Sequence, residues 1–451
     1  MPTSLVILAA GQGTRMKSDQ PKVLHQVAGA PLLHHAMKAG ASLEPERTVV
    51  VAGHGAEAVE ASARDYDPDV IVVRQEEQLG TAHAVDQARD ALADVEGDVI
   101  VLYGDTPFIR PDTLDAMVTA RQEHSVVVLG FEAKDPGRYG RLVMQGTSLE
   151  RIVEFKDATD AERTITFCNS GVICADAREM FDLITAVGKQ NASEEYYLTD
   201  IVGLARAREL SVTAVACREA ETLGVNSRSD LAAAEAAFQA RTRRDALEDG
   251  ITMQAPETVY FSFDTIIGRD TLIEPNVVFG PGVSVETGAH IRAFSHLEGC
   301  HVSRGAIVGP YARLRPGTEL SEDVRIGNFV EVKNAIIDEG AKVNHLTYIG
   351  DADIGSKTNI GAGTITCNYD GVFKHRTEIG ANAFIGSDTM LVAPVKVGDE
   401  AMTATGSVVT EDVPAGALAL ARTKQVNKPE FARRFMEKLR AAKRNLTGGT
   451  G

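Results

Sequence analysis

From Val302 to Val332 the chain reads V-S-R-G-A-I, V-G-P-Y-A-R, L-R-P-G-T-E, L-S-E-D-V-R, I-G-N-F-V-E, V, with an aliphatic residue at every sixth position. Upstream the same beat marks Ile267, Ile273, Phe279, Val285, Ile291 and Leu297. Downstream it continues through Ile337, Val343, Ile349, Ile354 and Ile360, and then Ile379, Ile385, Leu391, Val397, Thr403 and Val409, with short slips between runs. Fixed-period self-similarity is the mark of a stacked solenoid, and a period of six points to a parallel β-helix. Each hexad forms one flat face of a triangular coil, its aliphatic residue pointing inward and small residues turning the corner. One coil cannot bury its apolar side alone, so many must stack.

The 451 residues are too many for one ordinary core and predict two or three domains. Hydrophobic content of 44% with 24% charged residues is that of a globular protein. A net charge of −17 argues against general binding of nucleic acid, since nothing would neutralise its phosphates. It leaves room for a local basic pocket. The five Cys (Cys168, Cys174, Cys217, Cys300, Cys367) contain no C-x-x-C pair, which predicts reduced thiols and a cytoplasmic protein. The apolar run Leu5 to Ala10 is too short and lacks the basic flank of a signal peptide, and no stretch approaches the length of a membrane span.

Before the solenoid, apolar runs at residues 4–8, 48–51, 70–73, 99–102 and 126–129 alternate with amphipathic stretches such as 33–38 and 82–92. Strands apolar on both faces and alternating with helices predict an α/β domain with a mainly parallel sheet covered on both sides. The expected organisation is an α/β domain over 1–227, a helical linker over 228–250 ending at Gly250, and an all-β helix with a C-terminal tail over 251–451. The tail carries Arg433, Arg434, Lys438, Arg440, Lys443 and Arg444 and reads as a solvated capping helix, anion binding being the alternative.

The first strand runs into Leu8-Ala9-Ala10-Gly11-Gln12-Gly13-Thr14-Arg15-Met16, then Pro21-Lys22. A strand feeding a glycine-rich turn lets backbone N–H groups approach an anion. A dinucleotide fingerprint would need Gly where Met16 stands, and a Walker loop would need Gly-Lys-Ser/Thr; neither is present. Two cations, Arg15 and Lys22, follow the glycines instead. Asp105, in Tyr103-Gly104-Asp105, ends a strand on the side where ligands bind in open α/β sheets. Taken alone, Asp105 reads equally as a loop cap or a ligand, and Asn226 as a helix cap. Together they make a hard-cation site of one carboxylate and one amide oxygen.

These residues resemble the sugar-1-phosphate nucleotidyltransferase family, whose signature is L-A-A-G-x-G-T-R-M followed by P-K. Gln75 to Ala82 resembles that family's base-recognition segment, and Tyr139-Gly140-Arg141, Ile152-Val153-Glu154, Asn169-Ser170-Gly171 and Gly224-Val225-Asn226 its sugar and metal motifs. The resemblance implies a Rossmann-like domain in which Leu8, Ala9, Ala10, Gly11, Gly13, Lys22, Gln75, Gly80, Thr81, Gly140, Glu154, Asn169 and Asn226 bind UTP and the UDP-sugar. Mg²⁺ is then held by Asp105 and Asn226, and Arg15 and Lys22 are catalytic.

Over the whole chain the combination of this domain with hexapeptide coils is similar to the bacterial bifunctional N-acetylglucosamine-1-phosphate uridyltransferase/glucosamine-1-phosphate N-acetyltransferase family. The match is dense over 314–317, 327–333, 344–351, 359–371 and 386–389. The resemblance implies a left-handed β-helix and a homotrimer of small-molecule enzymes without nucleic-acid or membrane partners. It implies acetyl transfer from acetyl-CoA to glucosamine-1-phosphate, then uridylyl transfer from UTP to N-acetylglucosamine-1-phosphate. Chemistry supports the residue types independently: an amine attacks a thioester only as the free base, and His345 is a group that titrates near neutrality. Arg315 and Lys333 suit a sugar phosphate, and with Tyr348 and Asn359 they make the implied glucosamine-1-phosphate site. Ala362, Asn368, Tyr369, Ser387, Thr405 and Arg422 make the implied acetyl-CoA site. Thr405 departs from the Ala of relatives, which matters only if its methyl packs tightly. The beat breaks between Cys367 and Glu378, and the insertion there, with Lys374, His375 and Arg376, falls where binding faces commonly lie.

Two other readings stay open on the residues. One is a nucleotidyltransferase whose β-helix only oligomerises; the other is a non-catalytic binding subunit built from the same modules. Arg15, Lys22, Asp105 and Asn226 weigh against the second, and Arg315, Lys333, His345, Tyr348 and Asn359 against the first.

Overall fold

In the computed structural model, which describes residues 2–447, the five apolar runs are strands: β1 (Thr3–Ala9), β2 (Thr48–Ala52), β3 (Ile71–Arg74), β4 (Asp98–Tyr103) and β5 (Val126–Glu132), all largely buried except the half-buried edge strand β3. Four more complete the sheet: β6 (Arg141–Gln145), β7 (Ser148–Val153), β8 (Phe167–Asp176) and β9 (Val212–Cys217). Their order is β3-β2-β1-β4-β8-β5-β9-β7-β6. The strands β1 to β4 pair in parallel, but β8 runs antiparallel between β4 and β5. The sheet is therefore mixed rather than mainly parallel. The strand β8 was not among the predicted runs; at Asn169-Ser170-Gly171 its register shifts, between Asn169 and Ile173, in the manner of a bulge that re-aims side chains.

Alternation along each strand decides the two faces. Val6, Leu8, Val49, Val51 and Val101 pack on one side with helices Thr81–Asp86, Ala177–Thr185 and Asp200–Ala207. Leu5, Ile7, Val50, Ile100 and Leu102 pack on the other with Leu32–Ala41, Ala56–Tyr66 and Pro111–Arg121. Both faces are apolar, so both must be covered. The chain passes from β1 outward to β2 and β3, then returns to place β4 on the other side of β1. That reversal opens a crevice at the carboxyl ends of β1 and β4, closed below by Gly104 N donating to Leu8 O at 2.9 Å.

The predicted linker is a helix over Arg228–Glu248, capped by Ser227 Oγ accepting from Asp230 N at 3.2 Å. Its Ala234 and Phe238 pack with Met16, Leu32, Phe108 and Val225. Buried Gln239 bonds both backbone groups of Phe261, at 2.7 and 2.9 Å. By compactness the chain divides into Met1–Arg269 with Ile273–Val283, and Asp270–Leu272 with Ser284–Gly451.

In the second unit the hexads are short parallel strands, and inward residues stand on one another coil by coil. Val285 pairs with Val302, Val302 with Leu320, Leu320 with Ile337, Ile337 with Ile354, and Ile354, across the insertion, with Ile379. All are buried. The fold is a left-handed parallel β-helix. Thr366 is a hexad position that the aliphatic beat passes over. It is fully buried, and its hydroxyl accepts from Gly350 N at 2.7 Å. One corner carries large side chains in the left-handed region: Phe294, Tyr311 and Phe329, at φ 59°, 56° and 56°. They stack at 4.9 and 5.2 Å and stay about half exposed. The basic tail is a helix over Phe431–Thr447, and its described side chains lie in the open rather than capping the coils. Among the described residues, no helix is long and apolar enough to cross a membrane.

Because Leu314 is fully buried under Val332 and over Leu297, Leu314→Ala leaves a cavity that neighbouring coils cannot fill. It should cost about 2–5 kcal/mol of β-helix stability. The chain has no Trp, so the loss is best followed by far-UV circular dichroism in urea.

Candidate active sites

The crevice of the α/β unit collects most of the residues read as the nucleotide site. Lys22 Nζ donates to Asp105 Oδ2 and, at 3.1 Å, to Asn226 Oδ1. Asp105 and Asn226 meet because Val225 N bonds Asp105 O at 2.9 Å, which carries the end of a distant segment to the tip of β4. Gly13 must be glycine: its φ is 62°, and a Cβ would stand 2.6 Å from Lys22 Cβ. The turn thus rests on the side chain that its own sequence places next. Arg15 lies apart, exposed and without an ion pair among the described residues.

A cavity of about 320 Å³ opens here, lined by Leu8 to Gly11, Lys22, Gln75, Gly80, Thr81, Tyr103 and Asp105. Buried Gln75 donates to Gly80 O at 3.1 Å and lies 3.0 Å from His83 Nδ1. The segment 195–199, which the sequence did not single out, closes over this edge. Tyr196 bonds Leu79 O and Ala82 N through its backbone, and Thr81 Oγ1 accepts from Leu198 N, each at 2.9 Å. A larger cavity of about 410 Å³, between Lys38, Arg110, Phe238 and Arg241, holds none of the predicted residues.

Gly140, Glu154 and Asn169 also converge. Asn169 N bonds Gly140 O at 2.9 Å, and a Cβ on Gly140 would lie 3.3 Å from Glu154 Oε1 and 3.5 Å from Asn169 Cβ. Burial raises the Glu154 carboxyl, against a hydrogen bond from Thr199 and together with the charges of Asp157 and Asp200. Burial likewise lifts the Tyr103 phenol well above its usual range, with Asp105 and Glu154 adding to it. The Tyr103 ring reaches Gly171, where a Cβ would lie 2.7 Å from it. Tyr103 thus lies within reach of the charges of both Asp105 and Glu154, which its place within a quoted motif did not reveal.

On the β-helix the predicted residues fall along one corner and the face beside it. Leu346 N bonds Asn328 O, Gly363 N bonds His345 O, Asp388 N bonds Ala362 O and Gly406 N bonds Ser387 O. Asn328, His345, Ala362, Ser387 and Thr405 therefore form a column, one residue per coil, at the spacing of about 4.8 Å between paired strands. Asn328, not foreseen as a site residue, places its Oδ1 2.9 Å from His345 Nδ1. A carbonyl oxygen only accepts, so Nδ1–H is the donor in this contact and Nε2 is the ring nitrogen left for a substrate. Asn359 lies one coil on, in register with Lys342 on the same face as His345.

Around the corner, Tyr348 leans over Gly350, the residue in register with Lys333; a Cβ there would overlap the phenol. Lys333 stands against Lys374 of the insertion, whose contact and charge, then burial and Arg315, hold its ammonium below the usual lysine range while Asp351 opposes. Arg315 is paired with Glu331 at 2.8 Å. Tyr369 is exposed, its hydroxyl donating to Gly371 O at 2.6 Å. Arg422 Nη1 donates to Thr405 O at 2.9 Å, and Thr405 is exposed rather than packed in the core. Lys374 is the residue that the motif reading underused; its signal was the break in the beat.

The fold and these two clusters define a transferase with two sites, one of nucleotidyltransferase type and one of hexapeptide type. The sequence profile of the MobA-like NTP transferase domain matches residues 5–202. Those of the bacterial transferase hexapeptide (six repeats) and of the hexapeptide repeat of succinyl-transferase match 264–299 and 376–411. The bifunctional protein GlmU of Ruegeria sp. (strain TM1040) is 70% identical over 98% of this chain and 99% of its own. That of Ruegeria pomeroyi is 72% identical over 98% of both chains, and that of Cereibacter sphaeroides (strain ATCC 17025) 68% identical over 99% and 98%. The chain belongs to the GlmU family. It is a bifunctional enzyme of UDP-N-acetylglucosamine synthesis, with uridyltransferase and acetyltransferase activities.

At Gly80 φ is 125°, and a Cβ would come within 2.4 Å of Tyr196 O. Gly80→Ala should push segment 195–199 off the cavity edge and raise the KM for UTP about tenfold or more, acetyl transfer being unchanged. Parallel assays of the two half-reactions check this.

Proposed function

We propose that the two sites act in succession on one sugar phosphate. In the β-helix the amine of glucosamine-1-phosphate attacks the thioester carbonyl of acetyl-CoA. The C–N bond forms, the C–S bond breaks, and coenzyme A leaves as the thiol. His345 takes the amine proton at Nε2 and gives it up as the departing thiolate is protonated, which returns the imidazole to its starting form. The observation that carries this reading is the corner column, in which Asn328 sets the His345 tautomer and Ala362, Ser387 and Thr405 run on from it in single coil steps. Arg315, Lys333 and Tyr348 hold the sugar phosphate, with Lys374 beside them, and Asn359 holds the sugar. Asn368, Tyr369 and Arg422 complete the acetyl-CoA contacts. Burial holds the Cys367 thiol above its usual range, which suits an inert side chain and direct transfer without an acyl-enzyme.

In the α/β unit a phosphate oxygen of N-acetylglucosamine-1-phosphate attacks the α-phosphorus of UTP, and the bond to the departing pyrophosphate breaks. Gly140, Glu154 and Asn169 place the sugar, and Gln75 and Gly80 meet the uracil. Asp105 and Asn226 fit Mg²⁺: their oxygens already converge on the Lys22 ammonium, a cation standing between them. When bound, the ion offsets charge on the transferring phosphate. Lys22 and Arg15 supply further positive charge to the phosphates.

The enzyme works as a homotrimer in the cytoplasm. The exposed stack of Phe294, Tyr311 and Phe329 supports self-association, since each large residue in the left-handed region costs on the order of 1 kcal/mol and gains little while exposed. Phe329→Glu should convert the trimer to monomer in sedimentation velocity and lower acetyl transfer far more than uridylyl transfer; an unchanged sedimentation coefficient counts against this face.

The reading is tested by thiol release from acetyl-CoA on adding glucosamine-1-phosphate without UTP. Wild-type protein should release thiol only with the sugar phosphate present. His345→Ala should lower that rate about 10²- to 10⁴-fold and leave uridylyl transfer intact. A parallel fall of both activities would overturn the division of labour.

A further inference from the structure

The insertion over 368–376 is tied at both ends to the strand Tyr348–Ile354 of the preceding coil. At its exit Arg376 Nε donates to Asp353 Oδ2 at 2.5 Å, in an exposed pair of the kind that contributes little. At its entry Asn368 Nδ2 donates to Asp351 Oδ2. This second tie differs in kind. Asp351 is 8% exposed and Asn368 7%. The other carboxylate oxygen of Asp351 accepts from Asn334 Nδ2 at 2.6 Å. The Asn368 backbone is fixed as well, its N donating to Thr366 O at 2.9 Å and its O accepting from His375 N at 2.8 Å. The one freedom left at Asn368 is which way round its amide stands.

A carboxylate only accepts, whereas an amide has one end of each kind. Asp351 therefore settles the choice: Nδ2 faces the carboxylate and Oδ1 faces away. We propose that Asp351 is a positioning residue of the acetyl-transfer site, holding Asn368 so that its carbonyl oxygen is offered to an amide N–H of the acyl donor. The proposal rests on the reading of Asn368 as an acetyl-CoA contact and goes beyond it, because Asp351 itself touches no substrate. The pantetheine arm of coenzyme A is a chain of amides whose N–H groups find an acceptor at Asn368 only in this orientation. The same tie keeps the insertion against the coil, where Lys374 stands beside Lys333. Burial alone would raise the Asp351 carboxyl, but the two amide hydrogen bonds and the charges of Lys374 and Lys333 outweigh it, so the acceptor stays ionised.

Asp351→Asn keeps the shape but leaves one oxygen to serve two amide donors, Asn334 and Asn368. The carboxylate that fixed Asn368 one way round is gone, and in the fraction of molecules where the NH₂ of residue 351 faces Asn368 a donor stands where the acceptor was. The KM for acetyl-CoA should rise about ten- to a hundredfold, with kcat changing less and uridylyl transfer unchanged. The exchange Asp351→Asn with Asn368→Asp restores both hydrogen bonds, since residue 351 can still accept from Asn334 and now donates to residue 368. It also returns an acceptor to the donor side, so the KM should recover most of the loss. An unchanged KM in Asp351→Asn, or no recovery in the exchange, overturns the proposal. Asn368→Ala separates it from the reading beneath it. If that variant leaves the KM for acetyl-CoA unaltered, the Asn368 contact itself is wrong and the proposal goes with it. If that variant raises the KM while Asp351→Asn does not, the contact stands and only the positioning role of Asp351 falls.

Discussion

Each coil of the β-helix must set an apolar side chain squarely over the one below, and the rest of that unit depends on this. Val302, Leu320, Ile337 and Ile354 are buried and in register. Side chains alternate in direction along a strand, so fixing the inward column fixes the outward ones at the same spacing. Asn328, His345, Ala362, Ser387 and Thr405 are aligned because the core is aligned. A solenoid in this sense manufactures an extended site from short-range repetition. It needs no long loops to bring the groups together, and the insertion at 368–376 departs from the repeat without disturbing the register of the coils on either side, Ile354 pairing with Ile379 across it.

The α/β unit solves the same problem by another constraint. Its polar groups come from distant segments and meet at the point where strand order reverses about β1, so position depends on close backbone approach rather than repetition. Gly13 against Lys22, Gly80 against Tyr196 and Gly171 against Tyr103 each leave no room for a Cβ. The three contacts seat the cation pair, the cavity edge and the Tyr103 ring. The requirement for glycine is steric at all three and conformational as well, since φ is positive at each.

These two modes explain what the sequence made legible. The beat at every sixth residue survives translation into structure, because the period is itself the geometry; Thr366 escaped it, a hydroxyl in an aliphatic row satisfied by Gly350. The apolar strands and the Gly11–Gly13 turn were legible for a similar reason, their patterns being local. The strand β8 was not, because its bulge at Asn169 to Gly171 serves the site and breaks the local rule. Segment 195–199, Asn328 and Asp351 were hidden for a different reason. Each acts through a partner that only the fold supplies: Tyr196 through the backbone of Leu79 and Ala82, Asn328 through the His345 ring, Asp351 through the amide of Asn368.

A last physical point concerns charge. A chain of net −17 handles anionic substrates in both sites, and it does so by confining cations rather than by a general field. Lys22 is held between Asp105 and Asn226, and Arg315 by Glu331. Lys333 and Lys374 are different: they stand against each other, with Arg315 and Asp351 as the nearby charges. Two ammonium groups side by side repel, and a freely moving loop would carry Lys374 away. The insertion stays chiefly because the buried Asp351 holds Asn368 at its entry. On the proposed reading, a phosphate dianion bound between these two cations offsets their mutual repulsion, so the loop that brings Lys374 to Lys333 also completes the anion site.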